Sequence, residues 1–140
     1  MYSYTATVIW EADKRGTLKI QGKPDLEISP PAEFGGHEGI HSPEELFVAS
    51  VSACTMATFL AFAEKTRTKF NSFTCSGKGI VDQVERTLRF TRIDLAVKVR
   101  VPSEREKKHA LHVLGLVSKH CLVTNSIDCV VDMQSEVLIS

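Results

Sequence analysis

The sequence has no surplus of either charge. Its 17 Lys and Arg balance 17 Asp and Glu, so the formal net charge is zero. That removes the electrostatic argument for a nucleic-acid or anionic-membrane partner. It also leaves the surface with little bulk repulsion against self-association. Aromatics are scarce at 7%. The chain does not open on a basic segment followed by an apolar core, so nothing reads as a secretory signal and the cytoplasm is the expected compartment. The four cysteines, Cys54, Cys75, Cys121 and Cys129, include no pair at Cys-x-x-Cys spacing. In a reducing compartment they default to free thiols, some of them reactive. There are no repeats, no low-complexity stretch and no internal boundary. A length of 140 residues fits a single domain over 1–140, large enough to bury a core without staples.

What the sequence does have is a charge-free run from Leu46 to Ala63, LFVASVSACTMATFLAFA, with Cys54 in its middle. Its eighteen residues reach the lower length limit for a membrane span. Ser50, Ser52, Thr55 and Thr58 and the high share of alanine argue instead for a core or subunit-interface helix. A helix apolar on all sides is expected to be buried on all sides. Ser42-Pro43-Glu44-Glu45 before the run is a helix start. Ser42 is the cap, Pro43 suits the first turn, and Glu45 sits three residues on. The helix is expected over about 43–65, on the order of 33 Å long.

Around it the patterning is mixed. Residues 2–11 alternate as a strand, Asp13-Lys14-Arg15-Gly16 marks a turn, Thr17–Gln21 returns, and Leu26–Ser29 forms a short third strand. Pro30-Pro31, Gly35-Gly36 and Gly39 mark a loop. Asn71–Val81 and Leu88–Val101 read as a hairpin. Ser103 to Glu106 has capping-box spacing and opens a second helix that runs to about Lys119 or His120. Ile127–Ile139 is a final strand. The order β-β-β-α-β-β-α-β, with antiparallel strands and two main helices, predicts an α+β fold.

Cys54 has two readings: a small buried hydrophobe, or a reactive thiol that needs positive charge nearby and a path for substrate. Cys121 lies in the polar junction Ser118-Lys119-His120-Cys121, a setting that favours partial exposure and a lowered pKa. If the two meet in space they form a peroxidatic and resolving pair. Cys75 and Cys129 fall within expected strands and read as packing residues. His109 and His112 on the second helix, and His37 and His41 in the glycine-rich loop, lack the partners a metal site needs. No metal and no cofactor are expected.

Pro43-Glu44-Glu45-Leu46-Phe47 followed by Ala53-Cys54, together with Cys121-Leu122-Val123-Thr124-Asn125-Ser126-Ile127, resembles the OsmC/Ohr family of thiol peroxidases. Pro30-Pro31-Ala32-Glu33-Phe34-Gly35-Gly36 is similar to the family's loop before the long helix, and order and spacing agree over essentially the whole chain. The resemblance implies the family's fold, with Cys54 peroxidatic and Cys121 resolving. It implies reduction of an organic hydroperoxide, or hydrogen peroxide, and recycling by a dithiol that is lipoyl-linked in some relatives. It also supplies a Glu and an Arg that support the reactive cysteine: Glu44 by its position, and Arg15 as the best match to the Arg. A guanidinium favours a thiolate and binds a peroxide oxygen, and a carboxylate holds the guanidinium. The match departs at Leu122, where Pro is common, and at Glu11-Ala12-Asp13-Lys14, where hydroperoxide-specialised relatives are glycine-rich. A ligand-binding or redox-sensing protein on the same fold is the alternative.

Glu44 and Cys54 are ten positions apart on one helix, which is about 15 Å of rise and roughly 80° of rotation. If both serve one site, Glu44 comes from a second chain whose helix runs antiparallel, as in a two-fold homodimer. The resemblance implies the same intertwined dimer.

Overall fold

The computed structural model describes residues 1–140, which fall into two compact units, Met1–Phe47 and Val48–Ser140. The long helix α1, Pro43–Lys65, contributes to both.

In the first unit, β1 (Thr7–Ala12), β2 (Arg15–Lys19) and β3 (Leu26–Ile28) form an antiparallel sheet in that order. The strand expected from residue 2 begins at Thr7. The pairing starts at Thr7 opposite Lys19, where β2 ends, so the alternating residues before Thr7 have no ladder to join. Arg15 opens β2 and is not a turn residue; the turn is made by Asp13, whose φ is 50°, and Lys14. A single 3-10 turn at Ala32–Phe34 closes on Gly35 at φ 85°, a left-handed position that glycine adopts without a Cβ penalty. Ser42 caps α1 as expected. Its Oγ accepts the Glu45 N–H at 3.1 Å and donates to Glu45 Oε1 at 2.8 Å.

In the second unit, β4 (Ser72–Val84), β5 (Thr87–Val101) and β6 (Val130–Ile139) form one sheet. β4 and β5 are the expected antiparallel hairpin. The antiparallel expectation fails at the last strand: β6 runs parallel to β5, from Arg92 opposite Val130 to Val101 opposite Ile139. The crossover is α2, Glu104–His120, followed by the short α3, Leu122–Asn125, a helical turn between the second helix and the last strand where none is expected. β6 also starts later than expected, so Cys129 lies before it and not within it.

The alternation of β5 maps directly onto burial. Ile93, Leu95, Val97, Val99 and Val101 are all buried, and the last three cluster with Phe59 and Ala63 of α1 and Ala110, Val113, Leu114 and Val117 of α2. The Phe59 ring sits 5.1 Å from Phe70 and 4.8 Å from Phe73. Glycine brings α1 close to β4: a Cβ on Gly77 would lie 2.6 Å from Ser52 Oγ, and one on Gly79 would lie 2.6 Å from a Val48 methyl.

α1 is not buried all round. Val51, Thr55, Phe59 and Ala63 make the buried stripe. The opposite stripe, Ala49, Ala53, Met56, Ala57, Leu60 and Ala61, is exposed. Most of the helix's hydroxyls turn back on their own backbone: Ser52, Thr55 and Thr58 donate to Val48, Val51 and Cys54 carbonyls at 3.1, 2.8 and 2.8 Å. A helix with polar residues thereby shows an apolar exterior, and by length and composition it would suffice to cross a membrane.

Candidate active site

The second unit brings Cys54 and Cys121 together. Cys54 is half-buried on α1, its Sγ 3.9 Å from Thr58 Oγ1. Cys121 ends α2 and begins α3. Its N–H donates to the Val117 carbonyl at 3.1 Å, and its carbonyl accepts the Asn125 N–H at 2.9 Å. It is only 2% exposed, and not in the exposed junction its neighbours suggest.

Burial pushes the Cys121 pKa up. The Thr124 hydroxyl and N–H, the Cys54 thiol and the Val123 N–H, all turned toward the sulfur, outweigh burial and leave the pKa below the ordinary thiol value. None of these reaches full capping geometry. The effect is that of several partial positive charges gathered on one thiolate. The side chains of Lys119 and His120, which the sequence suggested would do this, are exposed. The His120 ring instead packs 5.3 Å from Phe62.

Sequence reasoning assigned Cys75 to packing alone. It does pack against the core from β4. It also lies near the pair: burial raises its pKa, a Ser52 hydrogen bond lowers it, and negative charge on Cys121 raises it again. No local signal could have shown this, because Cys75 and Cys121 are 46 positions apart in the sequence. All four cysteines are free thiols.

A cleft of about 470 Å³ opens on Cys121 between α2 and the sheet. Thr55, Leu111, Leu114, Ser118 and Met133 are among its walls, and Cys54 is not.

The first unit holds Arg15 and Glu44. Both line a mostly apolar cavity of about 620 Å³, with Val8, Trp10, Ile28 and Phe34 around them. Glu44 is in the first turn of α1, and its Oε1 is buried without a hydrogen-bond partner. Such an atom normally costs on the order of 1–3 kcal/mol, more when charged, unless something satisfies it. Arg15 Nη1 lies 3.8 Å from Glu27 Oε1 in an exposed pair, so within one chain its carboxylate neighbour is Glu27.

The histidines do not converge: His109 Nδ1 contacts Glu106 Oε1 at 3.0 Å, and the same Glu106 carboxylate accepts the Lys69 N–H.

The fold recurs among solved structures. An OsmC-like protein of unknown function from Vibrio cholerae superposes with a TM-score of 0.87 at 23% identity, over 97% of this chain and 100% of that one. An organic hydroperoxide resistance protein from Elizabethkingia anophelis matches with a TM-score of 0.78 at 20% identity, over 100% and 98% of the two chains. An organic hydroperoxide resistance protein from Legionella pneumophila gives 0.76 at 19%, over 99% and 98%. No curated protein matches the sequence. The family model for OsmC-like proteins matches residues 36–136. With this match spanning both cysteine motifs, the chain belongs to the OsmC family.

Proposed function

We propose that this protein is a cysteine-based peroxidase that reduces organic hydroperoxides, and hydrogen peroxide as well, in the cytoplasm. The observation that carries the reading is the meeting of Cys54, from the middle of α1, with Cys121, at the α2–α3 junction. The names of the two hydroperoxide resistance proteins with the same fold point the same way.

The Cys54 thiolate attacks the distal oxygen of the hydroperoxide. The O–O bond breaks, the alcohol leaves with a proton, and sulfur is oxidised to a sulfenic acid. Cys121 then attacks that sulfur. The S–O bond breaks, water leaves, and a Cys54–Cys121 disulfide forms before over-oxidation. The hydrogen bonds around Cys121 raise the fraction of it that is ready to attack. A dithiol, lipoyl-linked on a carrier protein, returns both cysteines to thiols.

The reading includes a homodimer in which Glu44 of one chain supports the guanidinium beside Cys54 of the other, with Arg15 in that cationic role. Two observations support it. Glu44 Oε1 lacks a partner within its own chain. The open stripe of α1 is alanine-rich, with Met56 and Leu60 43% and 41% exposed, a surface that admits a second helix closely. The apolar cavity of the first unit gives the ligand-binding alternative its one specific support.

Stopped-flow oxidation of the reduced protein by cumene hydroperoxide tests the reading. Fast oxidation, lost in Cys54→Ser by at least about three orders of magnitude, is expected. A rate no faster than that of a free thiol rejects catalysis and leaves the ligand-binding or sensing role. Cys121→Ser reacts once and then accumulates Cys54 sulfinic acid. Sedimentation at micromolar concentration gives a dimer; a monomer removes Glu44 from the site.

A further inference from the structure

We propose that the exposed face of α2 is the docking surface for an acidic protein that carries the reducing dithiol. This rests on the peroxidase reading and gives its recycling step a partner.

α2 carries four Lys and Arg against two Glu, in a chain whose charges balance. Arg105, Lys108, His112 and Lys119 recur at helical spacing and fall within about 60° of one another around the axis. All four are exposed. Arg105, Lys108 and Lys119 make no ion pair, whereas Arg15, Lys19 and Arg92 elsewhere in the chain each have one. Glu104, the acid at the start of the stripe, is in the first turn, where the helix dipole favours it. Unpaired cations in a row are open to the carboxylates of a partner, and they steer its approach by charge.

The face does not suit the other polyanions. Neither α2 nor α3 has an aromatic side chain on which a nucleic-acid base could stack. The apolar side of α2, with Ala110, Val113, Leu114 and Val117, is buried in the core and is not open to a membrane. Leu111, exposed beside the stripe, offers a protein partner apolar contact.

The stripe also ends in the right place. α2 stops at His120, and Cys121, the next residue, has the Cys54 thiol turned toward its sulfur. A carrier seated along α2 therefore has the disulfide at the C-terminal end of its seat. Cys54 is half-buried and Cys121 is buried, so a thiolate of the carrier's dithiol attacks Cys54 Sγ. The S–S bond breaks, and Cys121 leaves as a thiolate, received by the hydrogen bonds around it. The second dithiol sulfur then attacks the first. Its cyclic disulfide forms, Cys54 is released, and the two protons lost by the dithiol pass to the two cysteines.

The test forms the Cys54–Cys121 disulfide with diamide, so it does not depend on any reaction with peroxide. The oxidised protein is then reduced either by an acidic dihydrolipoyl carrier domain or by free dihydrolipoamide, which is uncharged. Arg105→Glu combined with Lys108→Glu reverses two charges that lie about 20 Å or more along the helix from Cys121, beyond the reach of screened charge at about 0.15 M salt. The rate constant with the carrier is expected to fall at least about tenfold, and that with free dihydrolipoamide to change less than about twofold. In the wild type, added salt is expected to slow the carrier and not free dihydrolipoamide. A carrier rate that the double variant keeps, or equal slowing with both reductants, overturns the proposal. If the double variant does not fold, the wild-type salt comparison decides, and a carrier rate indifferent to salt overturns it. Loss in the variant of binding to a single-stranded oligonucleotide or to phosphatidylglycerol vesicles, with the carrier rate intact, gives the face to that polyanion and overturns it too. Charge-dependent reduction of a disulfide that peroxide never makes sinks the peroxidase reading and keeps the docking face. A disulfide that diamide does not form sinks both.

Discussion

The first unit, residues 1–47, and the second, residues 48–140, use similar strand patterns to very different ends. In β5 every second residue from Ile93 to Val101 is buried. In β1 no residue is buried, although Val8, Ile9 and Trp10 are as apolar as anything in β5. The second unit has a core of its own, in which two helices cover one face of a sheet. The first unit has a three-stranded sheet, a cavity lined by Trp10 and Phe34, and a carboxylate oxygen with no partner. Alternation in a sequence specifies a face. Whether that face is covered from within the chain is decided by what else the chain supplies. The second unit buries its alternating face against its own helices, while β1 of the first leaves its apolar residues exposed.

Four substitutions sharpen or break this contrast. Phe59→Ala removes a fully buried ring from the second unit's core and is expected to cost about 3–5 kcal/mol, read as a lowered denaturant midpoint. A loss under about 1 kcal/mol would show that the core is looser than its burial implies. Glu44→Gln is expected to slow peroxide oxidation of Cys54 by roughly tenfold, about 1.4 kcal/mol in the barrier, and to weaken self-association. Were it to stabilise the protein and leave both properties alone, Oε1 would be an uncompensated buried charge with no role.

Glu106→Gln tests acid sensitivity in the second unit. The Lys69 N–H, followed by His109 and Arg105, holds the Glu106 pKa below its ordinary 4.5. A folded-state pKa lower than the unfolded one contributes stability above the unfolded value and loses it as pH falls through the folded one. The wild type is therefore expected to lose melting temperature as pH drops below about 4.5, and Glu106→Gln to start lower at neutral pH and lose less on acidification. Parallel curves would remove Glu106 from the acid response. The smallest effect is expected from Trp10→Ala. Trp10 is 73% exposed, so truncation shifts monomer stability by no more than about 0.5 kcal/mol. Dimer dissociation, followed by sedimentation, should still rise. A large loss of monomer stability would mean that the first unit has a core after all.

Where the sequence could be read, the reason was usually a local rule. Ser42 and Pro43 mark the start of α1, loss of charge marks its body, and Glu64-Lys65 marks its end. Ser103 starts α2: its Oγ accepts the Glu106 N–H at 3.3 Å, although the Glu106 carboxylate turns to Lys69 and His109 instead of back to the cap. What could not be read was non-local. A strand that alternates looks the same whether it pairs parallel or antiparallel, so the direction of β6 is not written in its own residues. α3 is four residues long and shows no period. The hydrogen bonds that lower the Cys121 pKa come from α3 and from α1, not from the basic residues next to it in sequence. Cys54 and Cys121 were singled out as positions, but their meeting is a fact of tertiary structure. The alanine stripe of α1 was visible as composition; that it forms the uncovered side required the sheet.

The parallel pairing of β5 with β6 also fixes an order of events during synthesis. β4 and β5 are consecutive in the chain, but β6 is made only after the whole of α2 and α3. Parallel pairing across such a crossover closes slowly. Val131, Met133 and Ser135 of β6 form the far wall of the cleft that reaches Cys121. A nascent chain stalled before Val130 therefore carries both thiols with that wall missing, and the surroundings of Cys121 are completed only by the last strand.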